Sequence, residues 1–329
     1  MKDPWQPYLQ LGIVHFMAFP ECLTGEGPLF DTLCTICDDP FFDAVDVGPM
    51  YDAGQRRECA ALLRDSQMSV TFACQPLQLT KGLDLNAADR EQRQQAVEAI
   101  VGLLDQAKEL GASRFGLMSG KNVPPAERAA AQDRLIGELL RICKAARDRA
   151  GLPVVLEIFD HDVDKKALVG PCATAAAVAR AVRNEFPDFG LLHDLSHIYL
   201  CHETPEKHFP LIREHLVAVH LGNSVSDPKH PMYGDTHPLF GMAGSDSDVP
   251  QLRDFLRVLF DIGFLRPLTP PPLSPGGEGR YVSSSLPPGG RGVRGRPVCA
   301  FEIRTPAGVR PQTAIANMKR TWQQAWWTL

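Results

Sequence analysis

No apolar run in this chain approaches the roughly 20 residues that a membrane-spanning helix requires, so a membrane-embedded role is not expected. An excess of one charge is also missing: 34 Lys and Arg stand against 39 Asp and Glu, a net of −5. No global field draws in a phosphate backbone, and nucleic acid is disfavoured as a partner. The glycine-rich fingerprint of a dinucleotide-binding sheet is absent after the first apolar run, where Met17-Ala18-Phe19-Pro20 stands instead. The opening MKDPWQPYLQLG lacks the apolar core and small-residue cleavage site of a secretory leader. Nine cysteines, an odd number at scattered spacings, offer no disulfide framework, and a reducing, cytoplasmic setting is expected. Cys34 and Cys37 form a C-x-x-C without a second pair and read as ordinary buried thiols on a helix.

What is present is a rhythm. Apolar or β-branched runs recur at Leu9 to Phe16, Phe42 to Val47, Met68 to Cys74, Arg114 to Met118, Pro153 to Phe159, Phe189 to His193, Val217 to Leu221 and Val298 to Ile303. Segments of helical period separate them: 30–36, 54–65, 90–110, 126–150, 173–186, 204–215, 249–260 and 312–327. Strands alternating with helices predict a parallel sheet with right-handed crossovers, and eight repeats close into a (β/α)8 TIM barrel, an α/β fold, as one domain over residues 1–329. The stretch 267–296 interrupts the rhythm with PLTPPPLSPGGEGR and SLPPGGRGVRGR, and predicts a mobile insertion before the last strand. Its Arg280, Arg291, Arg294 and Arg296 could meet phosphate, but a tolerated insertion explains them more simply.

Nine of the ten histidines fall between 161 and 237, amid acidic residues set in apolar strands. Glu157 stands near the end of VVLEIF, Asp194 follows GLLH, His220 lies near the end of VAVHLG, and Glu302 near the end of VCAFEI. Successive strands thus present metal-capable groups at the barrel end where active sites form. Three carboxylates and an imidazole suit a hard or borderline divalent ion such as Mn, Mg, Co or Zn, with positions left for substrate oxygens. For any one of them alone the competing explanation is a buried ion pair, with Arg304 or Lys121 as candidate partners for Glu157 and Glu302. Beside this set lie Asp194-Leu195-Ser196-His197, a D-x-x-H, and Asp235-Thr236-His237, a D-x-H within YGDTHPLFG.

In the order Glu, D-x-x-H, His, D-x-H, Glu the chain resembles the xylose-isomerase-like barrel superfamily, in its sugar phosphate isomerase and epimerase branch. DNA-repair enzymes of the endonuclease IV type share that superfamily. The resemblance implies that Glu157, Asp194, His220 and Glu302 ligate one metal and that His197 meets substrate. In the repair enzymes the residues matching His197, Asp235 and His237 hold another zinc, which leaves room for a second metal here; a hydrogen-bonded cluster orienting the loop is the plainer use. The repair family also carries histidines after its third and fourth strands, where this chain has Cys74-Gln75 and Met118-Ser119-Gly120. That departure counts against DNA cleavage. His15, Asp160, His161, Asp162, Lys165 and Arg304 are further candidates for substrate contacts.

The function expected is a divalent-metal-dependent isomerase or epimerase acting on a sugar, sugar phosphate or related keto-polyol, with Glu157 and Glu302 as proton carriers through an enediolate. The alternatives are a zinc phosphodiesterase of the endonuclease IV type and a non-catalytic sugar-binding barrel. A homo-oligomer stays open. The terminal Trp322, Trp326 and Trp327 are expected to pack within the last helix.

Overall fold

The computed structural model describes residues 3–267 and 296–329. Eight parallel strands follow one another round a closed barrel: β1 (Gln10–Val14), β2 (Ala44–Val47), β3 (Ser69–Ala73), β4 (Ala112–Met118), β5 (Val154–Ile158), β6 (Gly190–Asp194), β7 (Leu216–Gly222) and β8 (Val298–Glu302). Nearly every strand residue is buried, because the barrel interior takes one face and a ring of helices takes the other. That double burial is why the strands read as apolar runs rather than as alternating ones.

The helices are α1 (His15–Ala18), α2 (Leu29–Cys37), α3 (Ala53–Asp65), α4 (Gln75–Lys81), α5 (Arg90–Val101), α6 (Leu104–Glu109), α7 (Arg128–Ala150), α8 (Cys172–Arg183), α9 (Leu195–Leu200), α10 (Pro205–Ile212), α11 (Val249–Asp261) and α12 (Pro311–Trp327). The single helix expected over 90–110 is interrupted between α5 and α6 at Gly102, the residue with the weakest helix preference in the run. Asp52 and Asp89 start α3 and α5 by accepting the amides of Gln55 and Gln92 at 2.7 and 2.8 Å. On α12, Trp322 and Trp326 are fully buried and stacked at 5.5 Å, whereas Trp327 is exposed, so two of the three terminal tryptophans pack as expected. Among the described residues no helix is long and apolar enough to cross a membrane.

Of the insertion 267–296, all but Pro267 and Arg296 lies outside the described residues, Arg280, Arg291 and Arg294 included. Arg296 is not a free basic residue. It is buried at the start of β8, where its guanidinium donates to the carbonyls of Gln6 and Leu9 and ties the last strand to the approach of the first. Cys34 and Cys37 sit on α2 with partly exposed side chains, less buried than expected, and no metal-capable group among the described residues includes them.

Candidate metal centre

Strand register decides which side chains enter the barrel. Met118 pairs with Glu157, Asp194 with His220, and Gly222 with Glu302, so the carboxylates and the imidazole face inward at the carboxyl ends of β5 to β8. His220 Nδ1 lies 2.6 Å from Glu302 Oε2 and 3.5 Å from Glu157 Oε1, and these three residues place one ligand atom each within 4.8 Å of the others. Neither Arg304 nor Lys121 plays the ion-pair role weighed for the glutamates. Glu157 instead accepts Gln75 Nε2 at 2.7 Å, and Lys121 Nζ donates to the Lys165 carbonyl.

Asp194 is anchored on one side only. Its Oδ1 accepts the amides of Ser196 (2.6 Å), which starts α9, and Gly222 (2.9 Å). Position 222 has to be glycine for this, since a Cβ there would stand 2.4 Å from that oxygen. Asp194 also belongs to a second trio with His197 and His237, again within 4.8 Å. His197 Nδ1 donates to the Ile158 carbonyl at 2.7 Å and His237 Nδ1 to the Glu302 carbonyl at 2.9 Å. Both rings therefore turn Nε2 toward Asp235, at 3.3 and 3.0 Å. Lys165 Nζ completes the group, 3.0 Å from Asp235.

The electrostatics follow from five buried carboxylates crowded together. Burial alone would lower the histidines, but Asp235 outweighs it and holds His197 at about 10 and His237 at about 9. His220 is raised in the same way, with Glu302 outweighing burial. Burial lifts Asp194 to about 6 against the pull of His197. Glu157 Oε1 and Asp194 Oδ2 are buried and find no hydrogen-bond partner among the described residues. Unsatisfied oxygens of this kind, in a set of hard and borderline donors, are what a divalent cation would satisfy; the residues fit one.

Three participants were not expected from the sequence. Asp46 on β2 lies inside the barrel with Oδ2 3.0 Å from His220 Nε2, so the ring is held between carboxylates. Gln75, at the start of α4, braces Glu157. Arg114 on β4 is fully buried beneath them, without a hydrogen-bond partner among the described residues, and Asp46 is the charge that acts on it. An acid within the apolar AVDV of β2 and a base within RFGLM of β4 carried the same signal that marked Glu157.

Some expected contacts fall elsewhere. His15 leaves the strand into α1, where Nε2 meets Thr32 Oγ1 at 2.8 Å and burial lowers the ring to about 3; it does not line the cavity. Asp160 is spent on its own loop, accepting the amides of Val163, Asp164, Lys165 and Lys166. His161 and Asp162 pair with each other at 3.6 Å and, like Asp160, are absent from the cavity wall. Lys165 and the exposed Arg304 do line it. The cavity above the trio holds about 520 Å³, with Phe16, Leu23, Leu79, Met232 and Pro306 among its apolar wall.

The family profile described as xylose isomerase-like TIM barrel matches residues 38–270. The chain belongs to that family. The profile match ends before β8, so Glu302 lies outside the matched segment, and the fold is what brings it beside Glu157 and His220. Solved structures with the same fold include a D-tagatose 3-epimerase-like protein (TM-score 0.63, 13% identity, 96% of this chain and 98% of that one). Another is an IOLI protein with a binding zinc atom (TM-score 0.66, 13% identity, 96% and 98%). A third is AP endonuclease, family 2 from Brucella melitensis (TM-score 0.61, 16% identity, 92% and 96%). At these identities the likeness shows the fold of a xylose isomerase-like barrel and not an activity. No curated protein matches the chain.

Proposed function

We propose that this xylose isomerase-like barrel is a divalent-metal-dependent isomerase or epimerase of a sugar, sugar phosphate or related keto-polyol. The observation that carries the reading is the pair of buried glutamates, Glu157 and Glu302, flanking His220 Nδ1 at 3.5 and 2.6 Å on the floor of a sugar-sized cavity. Glu157, His220 and Glu302, with Asp194 beside them, would hold the ion. When bound it would supply Lewis acidity, polarising the substrate carbonyl and acidifying the neighbouring C–H.

The chain's own residues handle the proton. One glutamate, ionised, takes it from the carbon beside the carbonyl and leaves the substrate as an enediolate; the other, protonated, returns a proton. Return to the same carbon from the opposite face gives an epimer. Return to the adjoining carbon, with the hydroxyl proton moved between oxygens, gives an aldose–ketose pair. Gln75 and the His220–Asp46 contact orient the carrier groups, and the apolar wall excludes water from the exchange. Lys165 is already engaged by Asp164 and Asp235, so among the described residues Arg304 is the cation on the cavity wall that would meet a substrate phosphate.

A second reading rests on the Nδ1–H bonds of His197 and His237 to backbone carbonyls, a tautomer that offers Nε2 to a metal. It supports a second ion on Asp194, His197 and His237 and, with it, phosphodiester chemistry. Cys74-Gln75 and Met118-Ser119-Gly120, where the repair enzymes keep histidines after their third and fourth strands, weigh against that. A non-catalytic sugar-binding barrel remains the competing class. Free cysteines throughout support a cytoplasmic setting, and the composition of 267–296 supports an insertion within one domain.

The test is a panel of ketoses, aldoses and their phosphates, with metal-reconstituted protein, alongside an abasic DNA duplex. Interconversion of a sugar pair supports the proposal. Nicking of the duplex with no sugar turned over replaces it with the second reading, and sugar binding without conversion replaces it with a binding role.

A further inference from the structure

The strongest feature outside the barrel interior lies on the opposite face of β6. His193 is adjacent to Asp194 in sequence, so its side chain points the other way, out toward the helices, where it stacks on Phe209 at 5.1 Å. It is fully buried, and neither ring nitrogen has a hydrogen-bond partner among the described residues. A buried imidazole left in that condition is costly. One of its nitrogens lies within 4.8 Å of both Cys172 Sγ and a Glu203 carboxylate oxygen, which are themselves within that distance of each other.

The neighbouring elements deliver these donors from separate parts of the chain. Cys172 is the first residue of α8, and its amide donates to both Glu203 oxygens at 3.2 Å. Glu203 follows α9 and has a side chain only 9% exposed, with His208 Nε2 3.8 Å from its Oε1 on the solvent side. Cys201, close by, turns its thiol to the carbonyls of Phe159 and Gly170 and is not needed.

We propose that Cys172, His193 and Glu203 form a structural zinc site, separate from the central carboxylate centre, with His208 or water at the fourth corner. Thiolate, imidazole and carboxylate together are a borderline donor set that suits Zn²⁺ in tetrahedral geometry. The unpartnered, fully buried His193 is what sets this apart from a cysteine and an acid that merely sit near each other. Such a site would tie the start of α8 and the segment after α9 to the back of β6, directly behind Asp194. Cys172 has to give up its thiol proton on loading, which burial and Glu203 both resist, so affinity rises with pH.

The experiment is a Co²⁺ titration of the metal-free, reduced full-length protein, because the central site contains no sulfur. A near-ultraviolet thiolate-to-cobalt charge-transfer band is expected. It should persist in Glu157→Gln/Glu302→Gln and vanish in Cys172→Ser, and His193→Gln should weaken the affinity that it reports by more than roughly 100-fold, exceeding a typical outer-shell change. Cobalt bound without the band, or a band that survives Cys172→Ser, overturns the site. X-ray absorption of zinc-loaded wild type reads the same point without a variant: a sulfur neighbour near about 2.3 Å supports it, and a shell of nitrogen and oxygen alone refutes it.

Discussion

Replacing Asp46 by Asn keeps the shape of the side chain and removes its charge. The perturbation acts on the 3.0 Å contact between Asp46 Oδ2 and His220 Nε2, which leaves Nδ1 facing Glu157 and Glu302. With the carboxylate gone, nothing obliges the ring to keep its proton on Nε2. Losing an outer-shell carboxylate of this kind lowers metal affinity about 10- to 100-fold, or about 1.4 to 2.7 kcal/mol. Arg114 responds separately, since Asp46 is the charge that acts on its buried guanidinium without touching it. The coupling is therefore below the about 4 kcal/mol of contact charges at an effective dielectric of about 20. Competition titration with a metallochromic chelator reads the first effect, and thermal unfolding of the metal-free protein reads the second. Asp46→Asn combined with Arg114→Met should recover stability but not affinity, because only the first loss passes through His220. A metal Kd for Asp46→Asn within about 2-fold of wild type would refute the reasoning, since a tenfold change is the smallest that an orienting carboxylate should give.

Other expectations follow from the same geometry. Gly222→Ala should push the Asp194 carboxylate from its two amides, because the new Cβ would lie 2.4 Å from Oδ1; reduced metal retention on dialysis checks it. In the metal-free protein, His197 at about 10 and His237 at about 9 bind protons that the unfolded chain, at the ordinary 6.5, releases. Their stabilisation is complete below about pH 6.5 and is lost as pH rises toward 10, so chemical denaturation should show stability falling across that window, and metal should flatten the fall. On the acid side His15 and His193, both lowered to about 3 by burial, resist protons that the unfolded chain accepts, and stability should drop as pH falls from 6.5 toward 3.

The barrel was legible because each parallel strand is buried on both faces and announces itself as an apolar run. The inward acids were legible for a related reason, as a carboxylate in such a run has to find a partner. Asp46 in AVDV obeyed that rule and Arg114 in RFGLM is its basic counterpart, but neither stands out in the sequence, since no histidine cluster lies near them. The short helices α1, α4 and α9 begin directly at strand ends and are too brief to show a period. That is why His15, read as the end of a strand, turned out to face Thr32. His193 lay beyond reach for another reason. Strand parity places it opposite Asp194, but only the fold brings Cys172 and Glu203 to meet it.

The most direct test of proton transfer by Glu157 and Glu302 is solvent exchange. Metal-loaded protein, incubated with ketoses in deuterated water and followed by NMR, should place deuterium on the carbon beside the carbonyl. Glu157→Gln and Glu302→Gln should each slow that exchange by about 10² to 10⁴. Exchange that proceeds undiminished in either variant, while metal stays bound, would contradict the account.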